Sequence, residues 1–310
     1  MTLALDTCSK QTKTTVKKTN DNITTQNAYF PFIDKLSITL TIPPEEINAT
    51  YERVFSAINC TSMFQSAHWS QRFKICRNIA LSVTEERVLF QFGAKTTKGP
   101  DCRLEFNPAK LGFDGVNSLD TILAHIFPDG WFYILENGRV SRIDIAIDLS
   151  GMRMDDFLLL PQQGIVYQRF LSNGHLKTVY LGAPGSNQTR IYSKSAEQKA
   201  KGLIVSQSAV RVERTLRNQH LKVHELIILK NPFDKLTFVT PMPSPPPGEN
   251  EGKWSSFLDS VQVRGLSPAL ASLPEKRRSR YRKHLKQNPT SWWNPDTIWK
   301  NWPAALDVLA

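Results

Sequence analysis

The stretch Val140–Leu149 constrains the fold most, because its residues alternate between apolar and polar side chains. Successive side chains of a β-strand leave opposite faces of a sheet, so this alternation predicts a strand. The face suited to a core carries Ile143, Ile145, Ile147 and Leu149. The opposite face carries Arg142, Asp144, Ala146 and Asp148.

The two aspartates on one face have two interpretations. Asp is depleted in strand interiors, and two carboxylates that face the same way repel each other unless a cation neutralises them. A bound metal ion would be such a cation, and Asp144 and Asp148 would then be its ligands. Arg142 could neutralise the carboxylates equally well, and the aspartates would then take part in an ordinary surface salt bridge.

Composition narrows the class of protein. The chain has 310 residues, enough for two domains or one large domain with appendages, and a formal net charge of +11. A positive charge of this size favours a polyanionic binding partner, and nucleic acid is favoured over a membrane surface. The 4 Cys form no CxxC pair, which indicates reduced thiols. No apolar run is long enough to span a bilayer and no signal peptide is evident, so we expect a cytoplasmic protein.

The pattern of strands and helices predicts an α+β fold, with a central, largely antiparallel sheet and flanking helices. We expect a disordered basic tail over 1–27, a main domain over 28–240, a proline-rich linker over 241–249 and a small helical region over 250–310. Val116–Phe127 and Met152–Leu160 are expected to be helical, and Glu136–Gly138 to form a hairpin-like turn. The principal predicted strands are Tyr29–Ile42, Arg72–Val83, Arg87–Lys95, Cys102–Phe106, Val166–Phe170, Thr178–Leu181, Thr189–Lys194 and Ala209–Leu216.

The segment Thr189–Lys194, TRIYSK, contains a candidate nucleophile. As a strand it places Arg190, Tyr192 and Lys194 on one face. Nearby cations lower the cost of forming a phenolate, and they would also hold a phosphodiester in place. A packed tyrosine with a solvated hydroxyl is the alternative. Tyr180 is a rival nucleophile, although its neighbours supply no charge.

The segment Val210–Arg217, VRVERTLR, adds a third acid. Alternation places Glu213 on one face together with Arg211 and Arg217, so Glu213 is a candidate to complete a carboxylate set with Asp144 and Asp148. Such a set suits Mg²⁺ or Mn²⁺. A salt bridge from Glu213 to Arg211 or Arg214 is the competing interpretation.

The segment Glu275–Lys286, EKRRSRYRKHLK, predicts a cationic helix that contacts DNA. A solvated helix face is the alternative, but acids are nearly absent and cannot offset the repulsion. The tryptophans of the tail that follows are expected to pack against the body of the protein rather than to stack on bases. The candidate phosphate-binding residues of the helix are Lys276, Arg277, Arg278, Arg280, Arg282 and Lys283.

Four phrases together resemble a known family. RLEFNPAK, SRIDIAIDLSG, TVYLGAPGSNQTRIYSK and VRVERTLR come in the order found in replication initiation proteins of rolling-circle plasmids and filamentous phages. More narrowly they resemble the trans-acting Rep, or replication initiation factor, family, which is related to the HUH endonucleases. The resemblance covers roughly Tyr29 to Phe238. The chain lacks the His-hydrophobe-His pair of classical HUH proteins, and the trans-acting class is thought to use carboxylates instead.

The resemblance implies a site-specific DNA nickase and ligase that starts rolling-circle replication. By position, Tyr192 matches the nucleophile that forms a 5′-phosphotyrosine and leaves a 3′-OH for a polymerase. Asp144, Asp148 and Glu213 match the metal-binding acids, with Arg190 and Lys194 holding the phosphate or the leaving oxygen. Implied partners are an origin hairpin and single-stranded DNA, a host helicase and polymerase, and a second copy of the chain. Strand arginines expected to grip DNA are Arg142, Arg211 and Arg217. The alternative function is a regulator that binds DNA on the same fold without cutting it.

Overall fold

The structure is a computed structural model, and all secondary structure below refers to its described residues. These are residues 29–96, 99–160, 165, 167–172, 175–219 and 221–310. The basic tail expected over 1–27 lies outside them. The strands are β1 Pro31–Leu40, β2 Phe64–Ser66, β3 Phe73–Ala80, β4 Arg87–Ala94, β5 Cys102–Phe106, β6 Arg139–Ser150, β7 Leu158–Leu159, β8 Tyr167–Ser172, β9 His175–Leu181, β10 Gln188–Ser193, β11 Ala209–Arg217 and β12 Phe238–Val239. The helices are α1 Ile47–Cys60, α2 Pro108–Leu123, α3 Gly130–Asn137, α4 Lys194–Ala200, α5 Glu251–Arg264, α6 Leu266–Ala271, α7 Glu275–Gln287, α8 Pro295–Trp299 and α9 Trp302–Leu306.

Ten of these strands form one sheet in the order β2-β3-β4-β5-β1-β6-β11-β10-β9-β8. Every pairing between neighbours is antiparallel. The strand β6, which contains the alternating stretch, lies inside the sheet between β1 and β11. The prediction of an α+β fold with a largely antiparallel sheet and flanking helices is therefore confirmed.

One face of the sheet carries the main core. Ile143, Ile145 and Ile147 of β6 are completely buried there. Val54 of α1 and Leu119 of α2 belong to the same hydrophobic cluster. Because side chains alternate along a strand, burying this face directs the neighbouring polar residues of β6 to the other face. The helices thus cover the apolar face, and the polar face holds the candidate site.

The tail after α7 packs into the same core. Trp293 and Trp302 are buried in it. The indole N–H of Trp293 donates to the Leu236 carbonyl at 3.0 Å, and that of Trp302 to the Leu226 carbonyl at 2.8 Å. The prediction that the tryptophan-rich tail packs against the body is confirmed.

Helices α5, α6 and α7 have a smaller core of their own, centred on Trp254, Phe257 and Tyr281. The proline-rich segment expected as a linker lies against these helices, since the Trp254 indole donates to the carbonyl of Pro243 at 2.7 Å. The helices and the segment before them are therefore in contact.

Two local predictions are wrong. Met152–Leu160 is not a helix, because Leu158–Leu159 pairs with Phe238–Val239 as β7 with β12. Glu136–Gly138 is the end of α3 rather than a hairpin turn. These two segments are too short to show a clear period, so distant partners decide their structure. The helix expected from Val116 is present as the later part of α2, which begins at Pro108, where Asn107 caps it, and is kinked at Gly112. Within the described ranges, no helix combines the length and apolar character needed to cross a bilayer.

Candidate functional site

The candidate nucleophile and the acids lie on the same face of the sheet. In the register of β10 with β11, Tyr192 pairs with Arg211, and in that of β11 with β6, Arg211 pairs with Asp148. Two residues along the same strands, Arg190 pairs with Glu213 on the same face. Directly paired side chains on one face are close neighbours. The fold therefore brings together a phenol, two guanidiniums and two carboxylates from three strands.

The hairpin of β9 and β10 positions Tyr192. It turns through Gly182, whose φ is +101° and whose missing Cβ would lie 2.7 Å from the Asn187 carbonyl oxygen. Only glycine fits such a close, left-handed turn without strain. The turn sets the register that places Thr178 beside Tyr192 and Tyr180 beside Arg190.

Tyr192 is mostly buried under cationic side chains. It is 7% exposed, and the Arg190 guanidinium carbon lies 4.4 Å from the centre of its ring. Burial raises the pKa of the Tyr192 phenol, and the charges of Arg211 and Arg190 oppose that rise. The ring lines an open cleft of about 390 Å³ with Tyr180, Lys177 and Glu197. The phenol is thus neutral in the free protein, and Tyr192 borders the cleft.

Arg211 holds two of the acids on this face. Its Nε and Nη2 donate to the two carboxylate oxygens of Asp148 at 2.6 and 2.7 Å, and its Nη1 donates to Asp34 at 2.8 Å. A guanidinium bound in this way is rigidly oriented. Its partners raise the pKa of Arg211 although burial opposes them. Arg211 therefore stays charged beside Tyr192.

The other two predicted ligands are also paired with arginines. Arg142 donates to both oxygens of Asp144, at 2.8 and 2.5 Å. Arg190 donates to Oε2 of Glu213 at 2.7 Å. The salt bridge between Arg142 and Asp144 is the alternative to a metal site that the sequence also allowed. The partner of Glu213 is Arg190, rather than the Arg211 or Arg214 considered from the sequence.

The donor set does not fit the divalent site expected from Asp144, Asp148 and Glu213. Each carboxylate already accepts hydrogen bonds from a guanidinium. In the part of the chain that the structure describes, no three His, Cys, Asp or Glu side chains are grouped as a metal site requires. A metal ion bound by all three carboxylates would compete with three arginines for them. The cations that pair with these carboxylates are guanidinium groups.

Lys194 does not belong to the strand that carries Tyr192, which corrects the expectation of a strand through Lys194. The strand β10 ends at Ser193, whose hydroxyl caps α4. Lys194 is the first residue of that helix and donates to Glu197 at 2.7 Å. Burial opposes the shift, but hydrogen bonds from Lys194 and Lys201 lower the pKa of Glu197 to about 2. Lys194 is therefore the ion-pair partner of Glu197, which lines the cleft.

Two of the three strand arginines expected to bind DNA are engaged in ion pairs within the protein. Arg142 and Arg211 are in the ion pairs described above. Arg217 lies beside Arg142 in the register, and its Nε is buried without an acceptor among the described residues. Arg142 and Arg211 therefore position carboxylates, and their positive charge is largely balanced.

The cationic segment Glu275–Gln287 is a helix as predicted, but its aromatic residue is not available to DNA. Tyr281 is fully buried, with its ring 4.8 Å from that of Trp254. Arg280 pairs with Glu249 at 3.2 Å. Lys276 and Lys283 are exposed, whereas Arg277, Arg278 and Arg282 are half-buried.

Two features of the face were missed in the sequence. Asp34 lies within β1. Because Asp is depleted in strands, it is as informative about a site as the aspartates of β6. Phe170 of β8 is 53% exposed and makes an edge-on contact with Tyr180, with ring centres 5.5 Å apart. Its register partner is Thr178, which in turn pairs with Tyr192. The signal for Phe170 in the sequence was an aromatic residue within a predicted strand.

The fold and the site define an antiparallel α+β protein with a tyrosine among arginines and carboxylates on its uncovered face. The solved structure of a rolling circle replication initiator protein from Geobacillus stearothermophilus is similar to it, with 16% identity and a TM-score of 0.41 over 77% of this chain and 98% of that chain. No family model and no curated protein matches the chain. At this identity and TM-score, the similarity carries no argument about function.

Proposed function

We propose that this chain initiates rolling-circle replication by nicking and rejoining DNA, with Tyr192 as the nucleophile. The observation that carries the proposal is the position of Tyr192 beside Arg190 and Arg211 at an open cleft. Guanidinium groups in such a site bind a phosphodiester and stabilise the charge that develops in transfer of the phosphoryl group. The four phrases that resemble replication initiators support the same function.

In the proposed reaction the Tyr192 oxygen attacks phosphorus and the bond to the 3′ oxygen breaks. The products are a 5′-phosphotyrosine and a DNA 3′-OH. The proton that the 3′ oxygen takes up from water balances the phenol proton, which returns to water, so that no net proton is consumed. Rejoining is the reverse reaction, so no other reactant is consumed. Arg190 holds the phosphate, and the charges of Arg190 and Arg211 lower the cost of forming the phenolate.

Glu213 is the proposed acceptor of the phenol proton. It lies diagonally across from Tyr192 in the register, within reach of a long side chain. Burial raises the pKa of Glu213, and a base with a raised pKa is more effective near neutral pH. Both oxygens of Asp148 are bound by Arg211, which leaves Glu213 better suited to this role.

The proposed substrate is single-stranded or unpaired DNA at an origin. Phe170 and Tyr180 present aromatic rings beside the cleft, on which bases next to the broken bond would stack. Lys276 and Lys283 are exposed on α7 and would contact phosphates farther along the strand. Double-stranded DNA would then be cut only where the two strands separate, as in a hairpin.

The test is covalent capture of DNA. The full chain is incubated with a random pool of single-stranded oligonucleotides labelled at the 3′ end, and protein-linked label is measured on a denaturing gel. The wild type should retain label, Tyr192→Phe should retain none, and the matched variant Tyr180→Phe should retain it. Label retained by Tyr192→Phe but lost in Tyr180→Phe would assign the reaction to Tyr180 instead.

The same assay addresses the divalent ion. The sequence resemblance predicts dependence on Mg²⁺ or Mn²⁺, whereas the arginine-paired carboxylates predict that adducts also form in EDTA. Parallel reactions in Mn²⁺ and in EDTA separate the two. If the wild type forms no adduct in either, the nickase proposal is wrong.

The second candidate is a DNA-binding regulator that does not cut. Two observations favour it. Asp144, Asp148 and Glu213 are each paired with an arginine. Tyr192 is mostly buried, and burial raises the pKa of its phenol. A regulator would bind a defined DNA sequence selected from the pool without forming a covalent adduct.

A further inference from the structure

A second large cleft lies on the opposite face of the same strands. It has a volume of about 520 Å³ and is bounded by Thr189 of β10, by Arg214 and Leu216 of β11, and by the segment 228–236. We call it the Arg214 pocket. Pockets of about 300–1,000 Å³ hold small ligands. Nothing in the proposed nicking reaction uses it.

The half-buried guanidinium of Arg214 makes few hydrogen bonds within the described residues. Its Nη1 donates to the Thr189 hydroxyl at 2.9 Å. Its Nε is buried and has no acceptor among the described residues. Burial lowers the pKa of Arg214, and the charge of Asp234 only partly compensates. A half-buried guanidinium with a buried Nε that lacks an acceptor is costly, and an anion in the pocket would supply acceptors.

The charges around the pocket suit a divalent anion. Arg214, Lys230 and Lys235 are three cations, and Asp234 is the one acid among the lining residues. The basic residues of the lining outnumber the acidic one, which suits an anion such as a phosphate monoester, with a charge of about −1.5 to −2 near pH 7.

The remaining wall suits an apolar body attached to that phosphate. It is formed by aliphatic side chains from β11 and from the segments that follow it. These residues are Leu216, Leu221, Ile228, Leu229 and Leu236. Small-molecule sites commonly combine such a wall with a few polar groups that orient the ligand.

We propose that the Arg214 pocket binds a small organic phosphate, a phosphate monoester on an apolar body of nucleoside size. Arg214 binds the phosphate, and the aliphatic wall contacts the body. Thr189 and Arg214 are chain neighbours of Arg190 and Glu213, so the ligand contacts the backs of the two strands that carry the candidate site.

The test measures binding and does not depend on DNA cleavage. The four 5′-nucleoside monophosphates, the corresponding nucleosides and inorganic phosphate are titrated into the full chain by calorimetry and by thermal unfolding. At about 5 mM, at least one monophosphate should raise the Tm by about 2–4 °C. Its nucleoside and inorganic phosphate should bind at least about tenfold more weakly, because each lacks half of the contacts.

Variants identify the pocket. Arg214→Gln should weaken binding of the monophosphate at least about tenfold, and Arg214→Lys should retain part of the affinity. Lys177→Gln removes a cation from the Tyr192 cleft instead and should bind as the wild type does. Circular dichroism of each variant checks its fold, and Arg214→Lys provides the readout if Arg214→Gln does not fold.

Three results would overturn the proposal. The first is that no monophosphate at about 5 mM binds the wild type, a concentration at which even weak sites fill. The second is equal affinity in the wild type and in a folded Arg214 variant. The third is loss of binding in Lys177→Gln alone, which would place the nucleotide in the Tyr192 cleft.

Discussion

Tyr192 lies directly opposite Arg211 in the register of β10 and β11, and Arg211 holds Asp148 and Asp34 through hydrogen bonds of 2.6 to 2.8 Å. The arrangement keeps a charged guanidinium beside the phenol. It also makes Arg211 the link between β11, β6 and β1, so this residue has both a structural and a proposed chemical role.

Arg211→Met should destabilise the protein by about 2–4 kcal/mol, because it leaves the carboxylates of Asp148 and Asp34 close together without their cation. The change is measured by urea unfolding. Arg153→Met is the matched control, since its ion pair with Asp156 is exposed and should contribute less than about 1 kcal/mol. Equal stability of the two variants would contradict a central role for Arg211.

The rate of adduct formation should fall at acidic pH, starting above the ordinary carboxyl pKa of 4.5. The raised pKa of Glu213 means that its basic form is lost at a higher pH than that of an ordinary glutamate. Single-turnover rates between pH 4 and pH 8 measure this. Glu213→Gln should react at least about 100-fold more slowly and lack that inflection. The same inflection in the variant would exclude Glu213 as the base.

Phe170→Ala should weaken binding of single-stranded DNA by about 5- to 100-fold, because one stacked base contributes about 1–3 kcal/mol. Fluorescence anisotropy with a labelled oligonucleotide measures the affinity. Phe113→Ala is the control, since Phe113 is an equally exposed aromatic on α2. If both variants bind as the wild type does, bases do not stack at this edge of the sheet.

Lys276→Gln together with Lys283→Gln should reduce the dependence of DNA affinity on salt. Each phosphate contact that is lost lowers the slope of log K against log[salt] by about 0.7 for single strands. Arg280→Gln provides a comparison, because Arg280 is paired with Glu249 and should change the slope less. An unchanged slope in the double variant would remove α7 from the DNA-binding surface.

Trp302→Ala should cost about 3–5 kcal/mol of unfolding free energy, because it removes a large buried side chain and its hydrogen bond to Leu226. Trp69→Ala removes an exposed tryptophan and should change stability by less than about 1 kcal/mol. Chemical denaturation of both variants tests whether the C-terminal tail belongs to the core. A loss below about 1 kcal/mol for Trp302→Ala would contradict its place there.

Much of the sheet followed from local pattern. Cys102–Phe106 has the predicted bounds, and the strands near Arg87, Thr178 and Ala209 differ by only a few residues. Alternation in β6 and β11 also identified which residues share a face. Met152–Leu160 and Glu136–Gly138 failed because segments this short have no internal period, and contacts with distant residues decide their structure.

The sequence by itself determined which side chains of each strand leave on the same face, since alternation is a local property of the extended backbone. Only the tertiary structure decided which of them meet. Register and strand order join residues far apart in the chain, and they paired Glu213 with Arg190 and Arg211 with both Asp148 and Asp34. The partners of Glu213 and Arg211 lie on other strands, and a local sequence pattern holds no information about which strands are neighbours.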